Sequence, residues 1–138
     1  MNIESKTERY YYLRDPFDGS VGCVCILRDP KTGEFHRGIS LCNLKEDHFN
    51  KKRARGLAYS RAIKARIDVD LTGNCEGGKI ENVGDDVLEK ALNIQMDYEI
   101  PLVTGHSLIL EFCNCELTSF EQRMWDDVLN PYDYNPEK

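Results

Sequence analysis

The sequence predicts a single α+β domain in which a small antiparallel sheet, an N-terminal meander plus a later strand, packs with two to three helices. Two observations predict this class. In the first 43 residues, apolar segments flank a turn that contains Pro and Gly, as in β-hairpins. Alanine-rich and amphipathic segments follow, and these favour helices. With 138 residues the chain can bury one core, and we expect residues 1–130 to form the domain and residues 131–138 a flexible tail.

The predicted sheet begins with a three-stranded meander. Val21–Arg28 and Phe35–Asn43 flank the turn Asp29–Glu34, and Tyr10–Leu13 precedes them. Both faces of Val21–Arg28 are apolar, so we expect other elements to cover this strand on both sides. A later strand is predicted at His106–Cys115.

Three helices are predicted after the meander. The first occupies residues 45–66, with Asp47 as its N-cap. The second, Asp85–Met96, is amphipathic, and Thr118–Glu121 is a capping box that begins the third. Asp68–Gly84 is interpreted as a loop or a weak hairpin. Apolar residues of the first helix fall on two sides separated by charge, which indicates contact with a second surface such as a subunit interface.

Residues 45–66 form a cationic segment in an acidic chain. No acidic residue follows Asp47 in this segment, whereas the whole chain has 18 Lys and Arg against 24 Asp and Glu, a net charge of −6. Such a distribution indicates a bound anion, most commonly phosphate. Two lysines, Lys51 and Lys52, lie near the helix start, where backbone amides attract anions, and arginines further along can bind phosphate bidentately. A merely solvated helix face is the alternative.

The six cysteines include two C-x-C pairs, Cys23/Cys25 and Cys113/Cys115. Four thiolates could hold zinc. However, each pair lies in a predicted strand with both sulfurs on one face, so we expect packed core thiols instead. In a cytosolic protein these thiols are expected to be reduced.

Other motifs with a chemical role are missing from the sequence. The N-terminal segment is charged where a signal peptide is apolar, and no run is long enough to span a bilayer, so we expect a cytoplasmic protein that does not enter membranes. No nucleophilic elbow, dinucleotide fingerprint or paired-carboxylate motif occurs. We therefore expect no enzymatic activity and no cofactor.

Two stretches resemble a known family. Gly38–Lys64, GISLCNLKEDHFNKKRARGLAYSRAIK, resembles a pattern in small phage proteins in which a strand leads into Asp-x-Phe-x-Lys-Lys and then a helix with the sequence Gly-Arg-x-Ile-Ala-x-Gly-Arg-Ala. Glu116–Met124, ELTSFEQRM, resembles the closing helix of the same group. On these residues the chain is similar to the phage Thoeris anti-defence proteins, the nucleotide sponges. Ala54, Leu57 and Ser60 depart from the pattern by small or conservative changes.

The resemblance implies a non-enzymatic protein that binds and sequesters cyclic nucleotide immune signals in the host-cell cytoplasm. The family ligand is a cyclic ADP-ribose isomer, and some members also hold cyclic oligonucleotides. A homo-oligomer is implied as well, a hexamer built from dimers with pockets between subunits. Arginines would bind the phosphates and aromatic side chains the base. The residues expected to contact the ligand are Phe49, Lys51, Lys52, Arg55, Arg61, Lys64, Tyr98, Phe120 and Arg123.

Two other functions stay open. The basic helix could bind DNA or RNA, although the net negative charge disfavours a general nucleic-acid-binding protein. Alternatively, a phage protein could bind a host protein through its acidic C-terminal half, since residues 67–138 hold 16 acidic and 4 basic residues.

Overall fold

The computed structural model describes residues 8–15, 19–42, 48–72 and 80–126. In this part of the chain, two antiparallel sheets and three helices confirm the predicted α+β class. The helices are α1 (Lys51–Thr72), α2 (Asp85–Tyr98) and α3 (Ser119–Asp126). The strands in chain order are β1 (Glu8–Asp15), β2 (Gly19–Arg28), β3 (Phe35–Leu41), β4 (Ile80–Asn82), β5 (Val103–Thr104), β6 (Ser107–Ile109) and β7 (Glu111–Cys115).

The four-stranded sheet has the order β1-β2-β3-β7 and the three-stranded sheet the order β4-β6-β5. The predicted meander is confirmed, because β2 pairs antiparallel with both β1 and β3. Between β2 and β3 the chain turns tightly, where the Gly33 N–H donates to the Asp29 carbonyl over 2.7 Å. Gly33 has a φ of 77°, a backbone conformation that favours glycine.

The four-stranded sheet is covered on both faces, as the apolar residues of β2 predict. On one face lies α1, whose alanines pack on Tyr10, Tyr12 and the side chains of Cys23, Cys25 and Leu27. The other face carries the larger hydrophobic cluster, which also includes residues of α2, α3 and the three-stranded sheet. Its buried members include Tyr11, Leu13, Val24, Ile26, Ile39, Ala91, Ile94, Tyr98, Leu102, Leu108, Leu110 and Met124.

The prediction of one strand over His106–Cys115 is wrong, because this segment forms β6 and β7 in different sheets. The chain changes sheets at Leu110, whose carbonyl still accepts from the Ile39 N–H over 2.9 Å. The loop prediction for Asp68–Gly84 is also wrong in part. Residues 68–72 continue α1, and β4 pairs with β6; residues 73–79 lie outside the described residues.

The helix starts differ in how well local sequence predicts them. The capping box of α3 is confirmed, since the Glu121 N–H donates to Thr118 Oγ1 over 3.1 Å and the Thr118 N–H donates to Glu121 Oε1 over 3.0 Å. For α1, the predicted cap Asp47 lies outside the described residues. The cap observed is Asn50, whose Oδ1 accepts from the Arg53 N–H over 2.9 Å.

The apolar residues of α1 are divided between a buried and an exposed side. Small side chains form the buried side, whereas Leu57 and Ile67 are 42% and 43% exposed. Contact of these exposed side chains with a second subunit stays a prediction. No described helix combines the length and the apolar character needed to cross a membrane.

The cysteines follow the prediction in β2 but not in β7. Cys23 and Cys25 are fully buried against α1, and burial raises the pKa of the Cys23 thiol to about 12. In β7 a bulge with Asn114 at a φ of 51° breaks the two-residue alternation that placed both sulfurs on one face. Cys113 is disulfide-bonded, which corrects the expectation that all six cysteines are reduced. Within the described ranges, no group of three or more His, Cys, Asp or Glu residues could hold a metal ion.

Candidate functional site

Helix α1 packs very closely on the four-stranded sheet at Gly38. A β-carbon at this position would overlap the backbone oxygen of Ala58 and the backbone nitrogen of Ala62. Two residues further along β3, on the same face, Ser40 Oγ donates to the Ala54 carbonyl over 2.8 Å. Only small residues fit between helix and sheet, so the long basic side chains of α1 lie on its flanks and its outer side.

The first basic residues of α1 surround Tyr12 on the edge strand β1. Arg55 Nη1 donates to the Tyr12 hydroxyl over 2.8 Å, and Lys51 Nζ lies 5.0 Å from the ring centroid, a cation–π distance. The Phe49 ring meets the Tyr12 ring edge-on, with centroids 6.2 Å apart. We name Phe49, Lys51, Arg55 and Tyr12 the Tyr12 cluster. It is an electropositive corner at the helix start, with Lys52 exposed next to it.

On another flank of α1, Arg61 lines a cleft of about 330 Å³. It follows Arg55 at the sixth position along the helix, a rotation of about 240° around an α-helix. Other lining residues come from β3, from the segment around β4 and α2, from β6 and from the residue between β6 and β7. They are Leu41, Glu81, Asn82, Val83, Gly84, Val87, Leu108 and Leu110. We name this space the Arg61 cleft.

The Arg61 guanidinium is held at the cleft wall by the backbone of β3. Its Nη1 donates to the Ile39 carbonyl over 2.7 Å, and its Nη2 lies 3.6 Å from Glu81 Oε1. The second distance exceeds the roughly 2.7–2.9 Å of a charge-assisted hydrogen bond. Because the two side chains are 18% and 38% exposed, water screens the pair and it contributes at most about 1 kcal/mol. The weak pair therefore leaves the Arg61 guanidinium able to bind a ligand phosphate, with the Glu81 carboxylate close by.

Two aromatic residues of the predicted ligand set lie elsewhere in this chain. Tyr98 and Phe120 pack with Tyr11 in the larger hydrophobic cluster, on the face of the sheet opposite to α1. The ring centroid of Tyr11 lies 5.7 Å from that of Tyr98 and 4.8 Å from that of Phe120. The Tyr98 hydroxyl donates to the Tyr12 carbonyl over 3.1 Å. In one protomer, Phe49 is thus the member of the predicted aromatic set that lies beside the basic helix.

The remaining predicted residues are exposed cations. Lys52 and Lys64 lie on the solvent side of α1, and Lys64 follows Arg61 by three residues on neighbouring helix positions. Arg123 is exposed on α3, which packs on the other face of the sheet. The nine predicted residues therefore do not form one site within the described part of a single chain. They are divided between the Tyr12 cluster, the Arg61 cleft and the region of α3.

Several lining residues of the cleft were missed by sequence reasoning. Glu81, Asn82 and Val83 lie in the segment interpreted as loop, so nothing placed them beside α1. Their position depends on the pairing of β4 with β6, which has no local sequence signal. Tyr12 was missed as well, although strand alternation places it on the same side of β1 as Tyr10.

Comparison with known proteins gives no relative from which a role for these residues could be taken. No protein-family model, no curated protein and no solved structure matches this chain.

Proposed function

We propose that this protein binds a small phosphate-bearing nucleotide without converting it, and that the Arg61 cleft is the binding site. One observation carries the proposal: a guanidinium fixed by the Ile39 carbonyl lies at the wall of a cleft that also presents apolar side chains. Arginine is suited to phosphate because its planar fork donates two parallel hydrogen bonds. The apolar wall suits the face of a base.

The size and lining of the cleft favour a compact ligand. A volume of about 330 Å³ is at the lower end of ligand pockets. Leu41, Val83 and Val87 supply apolar surface, while Glu81 supplies carboxylate oxygens that accept from hydroxyl or amino groups. This combination matches one nucleotide unit. A larger cyclic nucleotide would extend beyond the cleft, toward Lys64 or a second subunit.

Cyclic ADP-ribose isomers are the first candidates, followed by cyclic oligonucleotides. This choice, like the dimer-based homo-oligomer up to a hexamer, rests on the sequence resemblance alone. In this proposal the protein acts as a sponge in the host-cell cytoplasm, because holding a signal tightly removes it from its receptor. Such a protein needs no nucleophile and no cofactor.

The test is calorimetry of the purified protein with a panel of cyclic ADP-ribose isomers and cyclic di- and trinucleotides. After binding, the complex is heat-denatured and the released ligand is analysed. We expect tight binding, intact ligand, and loss of binding in Arg61→Ala but not in Arg55→Ala. The thermal midpoint of each variant shows whether the fold is kept. A hydrolysed product would indicate an enzyme, and loss of binding in Arg55→Ala alone would place the site at the Tyr12 cluster.

Nucleic-acid binding is the second candidate, because α1 presents Lys52, Arg53 and Lys64 as exposed cations. Phosphate contacts of this kind make affinity fall steeply with salt concentration. A gel shift with random duplex and single-stranded DNA at about 50 and 200 mM salt tests it. We expect little binding; strong salt-dependent binding lost in Lys64→Ala would favour this function over the sponge.

A further inference from the structure

We propose that Glu81 determines the ligand class of the Arg61 cleft by requiring a hydrogen-bond donor close to the ligand's phosphate. The cleft would then take a nucleotide that presents a hydroxyl or amino group at that point and would discriminate against simple inorganic anions. This inference rests on the proposed function and adds the chemical rule by which the site selects its ligand.

The first support is that both charged groups are positioned by different elements. Arg61 is anchored from α1 through the Ile39 carbonyl. Glu81 lies in the middle of β4 and pairs with Leu108 of β6. In the neighbouring pair, Asn82 and Ser107, Ser107 Oγ donates a hydrogen bond to Asn82 Oδ1 over 2.8 Å. The backbones that carry the two charges are therefore held by different elements, and the charged groups lie 3.6 Å apart.

The second support is the charge of the cleft. Arg61 and Glu81 carry opposite charges within 4 Å, so together they attract a bare anion only weakly. A phosphate that binds Arg61 comes close to the carboxylate and is repelled by it. A donor from the same ligand converts this repulsion into attraction, because an ionised carboxylate only accepts hydrogen bonds.

The third support is the apolar surface next to the charged pair. Leu41, Val83 and Val87 line the same cleft and are partly exposed. A ligand that satisfies the whole cleft thus carries an anion, a donor and an apolar ring. A nucleotide has all three, whereas pyrophosphate has only the first.

The experiment compares two probes on two proteins by calorimetry. The probes are the tightest cyclic nucleotide of the panel and inorganic pyrophosphate, and the proteins are wild type and Glu81→Gln, a change that removes the charge and keeps the size. We expect wild type to prefer the nucleotide by at least about tenfold. In Glu81→Gln we expect the nucleotide affinity to fall about tenfold and the pyrophosphate affinity to rise. Asp85→Asn is the matched control, because Asp85 is an exposed carboxylate that does not line the cleft.

The outcomes separate this inference from the function on which it rests. Nucleotide binding that is unchanged in Glu81→Gln would overturn the role of Glu81 and leave the sponge intact. If wild type bound pyrophosphate and the nucleotide with equal affinity, the role of Glu81 would also be overturned. This comparison can be made on the wild-type protein alone. Absence of nucleotide binding in wild type would overturn both.

Discussion

Arg37 and Glu121 form a buried two-point ion pair that connects β3 to α3. Arg37 Nε lies 3.0 Å from Glu121 Oε2, and the two residues are 1% and 0% exposed. The same carboxylate accepts from the Tyr11 hydroxyl over 2.6 Å and from the Thr118 N–H over 3.0 Å. Arg37 Nη2 also donates to the Glu116 carbonyl over 2.9 Å. Because these partners satisfy the charges within the protein, the pair holds the fold together and is not a ligand site.

Removing the Glu121 charge should be strongly destabilising. Glu121→Gln leaves Arg37 buried without a counter-ion, and we expect the free energy of unfolding to fall by about 3–5 kcal/mol. Urea denaturation measures it. Arg123→Ala, an exposed change on the same helix, should alter stability by less than about 0.5 kcal/mol. A loss below about 1 kcal/mol in Glu121→Gln would be typical of a solvent-exposed pair and would contradict a buried one.

Stability should decrease with alkaline pH. Burial raises the pKa of the Cys23 thiol to about 12 and of the Cys115 thiol to about 11, from 9.0. Burial, assisted by Glu121, raises the pKa of Tyr11 well above 10.0. Above pH 9 the unfolded chain therefore releases protons that the folded chain retains, which lowers stability by up to about 1.4 kcal/mol per pH unit and group.

Denaturation curves between pH 8 and pH 11 measure this slope. We expect stability to be constant near pH 8 and to fall progressively above pH 9. Cys23→Ala should have a shallower slope, whatever its effect on stability at pH 8. A slope that does not change in this variant would mean that the thiol titrates alike in the folded and unfolded chain.

Two glycines at different positions should respond in opposite ways to alanine. Gly38→Ala brings a methyl group into the backbone of α1 at Ala58 and Ala62, so we expect the helix to be displaced and stability to fall by several kcal/mol or folding to be lost. Gly56 faces open space on the outer side of α1, and Gly56→Ala should stabilise by about 0.5–1 kcal/mol. Thermal melts of both variants test this. Equal effects of the two changes would contradict the close helix–sheet packing.

Glu99 ends α2 in a left-handed conformation, with a φ of 58° and its N–H donating to the Gln95 carbonyl over 2.7 Å. A non-glycine residue is strained there, so Glu99→Gly should stabilise by about 0.5–1 kcal/mol. Glu99→Ala removes the same side chain and keeps the strain, and it should not stabilise. If both variants gained stability equally, the gain would come from removing the carboxylate and not from relieving backbone strain.

Local signals were sufficient for the meander, for α2 and for the start of α3. Strand alternation and a Pro–Gly turn specify β2 and β3 through contacts between near neighbours in sequence. The capping box at Thr118 and Glu121 works for the same reason. The sequence did not indicate that the Glu121 carboxylate also binds Arg37, because this contact joins residues far apart in the chain.

The second sheet and the cleft could not be predicted because they depend on pairing at long range. The strands on either side of Leu110 belong to different sheets, because β6 pairs with β4 and β5 whereas β7 pairs with β3. The basic helix was predicted over residues 45–66, whereas it begins at Lys51 and continues through residues 67–72, which were not predicted as helix. Arg55 and Arg61 were expected to share a ligand, and the close packing of α1 on Gly38 directs them to different flanks.

Strand β3 serves two layers at once, since Gly38 and Ser40 meet α1 while Arg37 and Ile39 belong to the opposite face. Inserting or deleting one residue in this strand would exchange the two sets, so that Arg37 would meet the helix and Gly38 would leave a gap above α3. Substitutions can accumulate one at a time in such a strand, but changes of length cannot. In the course of evolution β3 should therefore keep a fixed length, and length variation should concentrate in the exposed turn at residues 30–34.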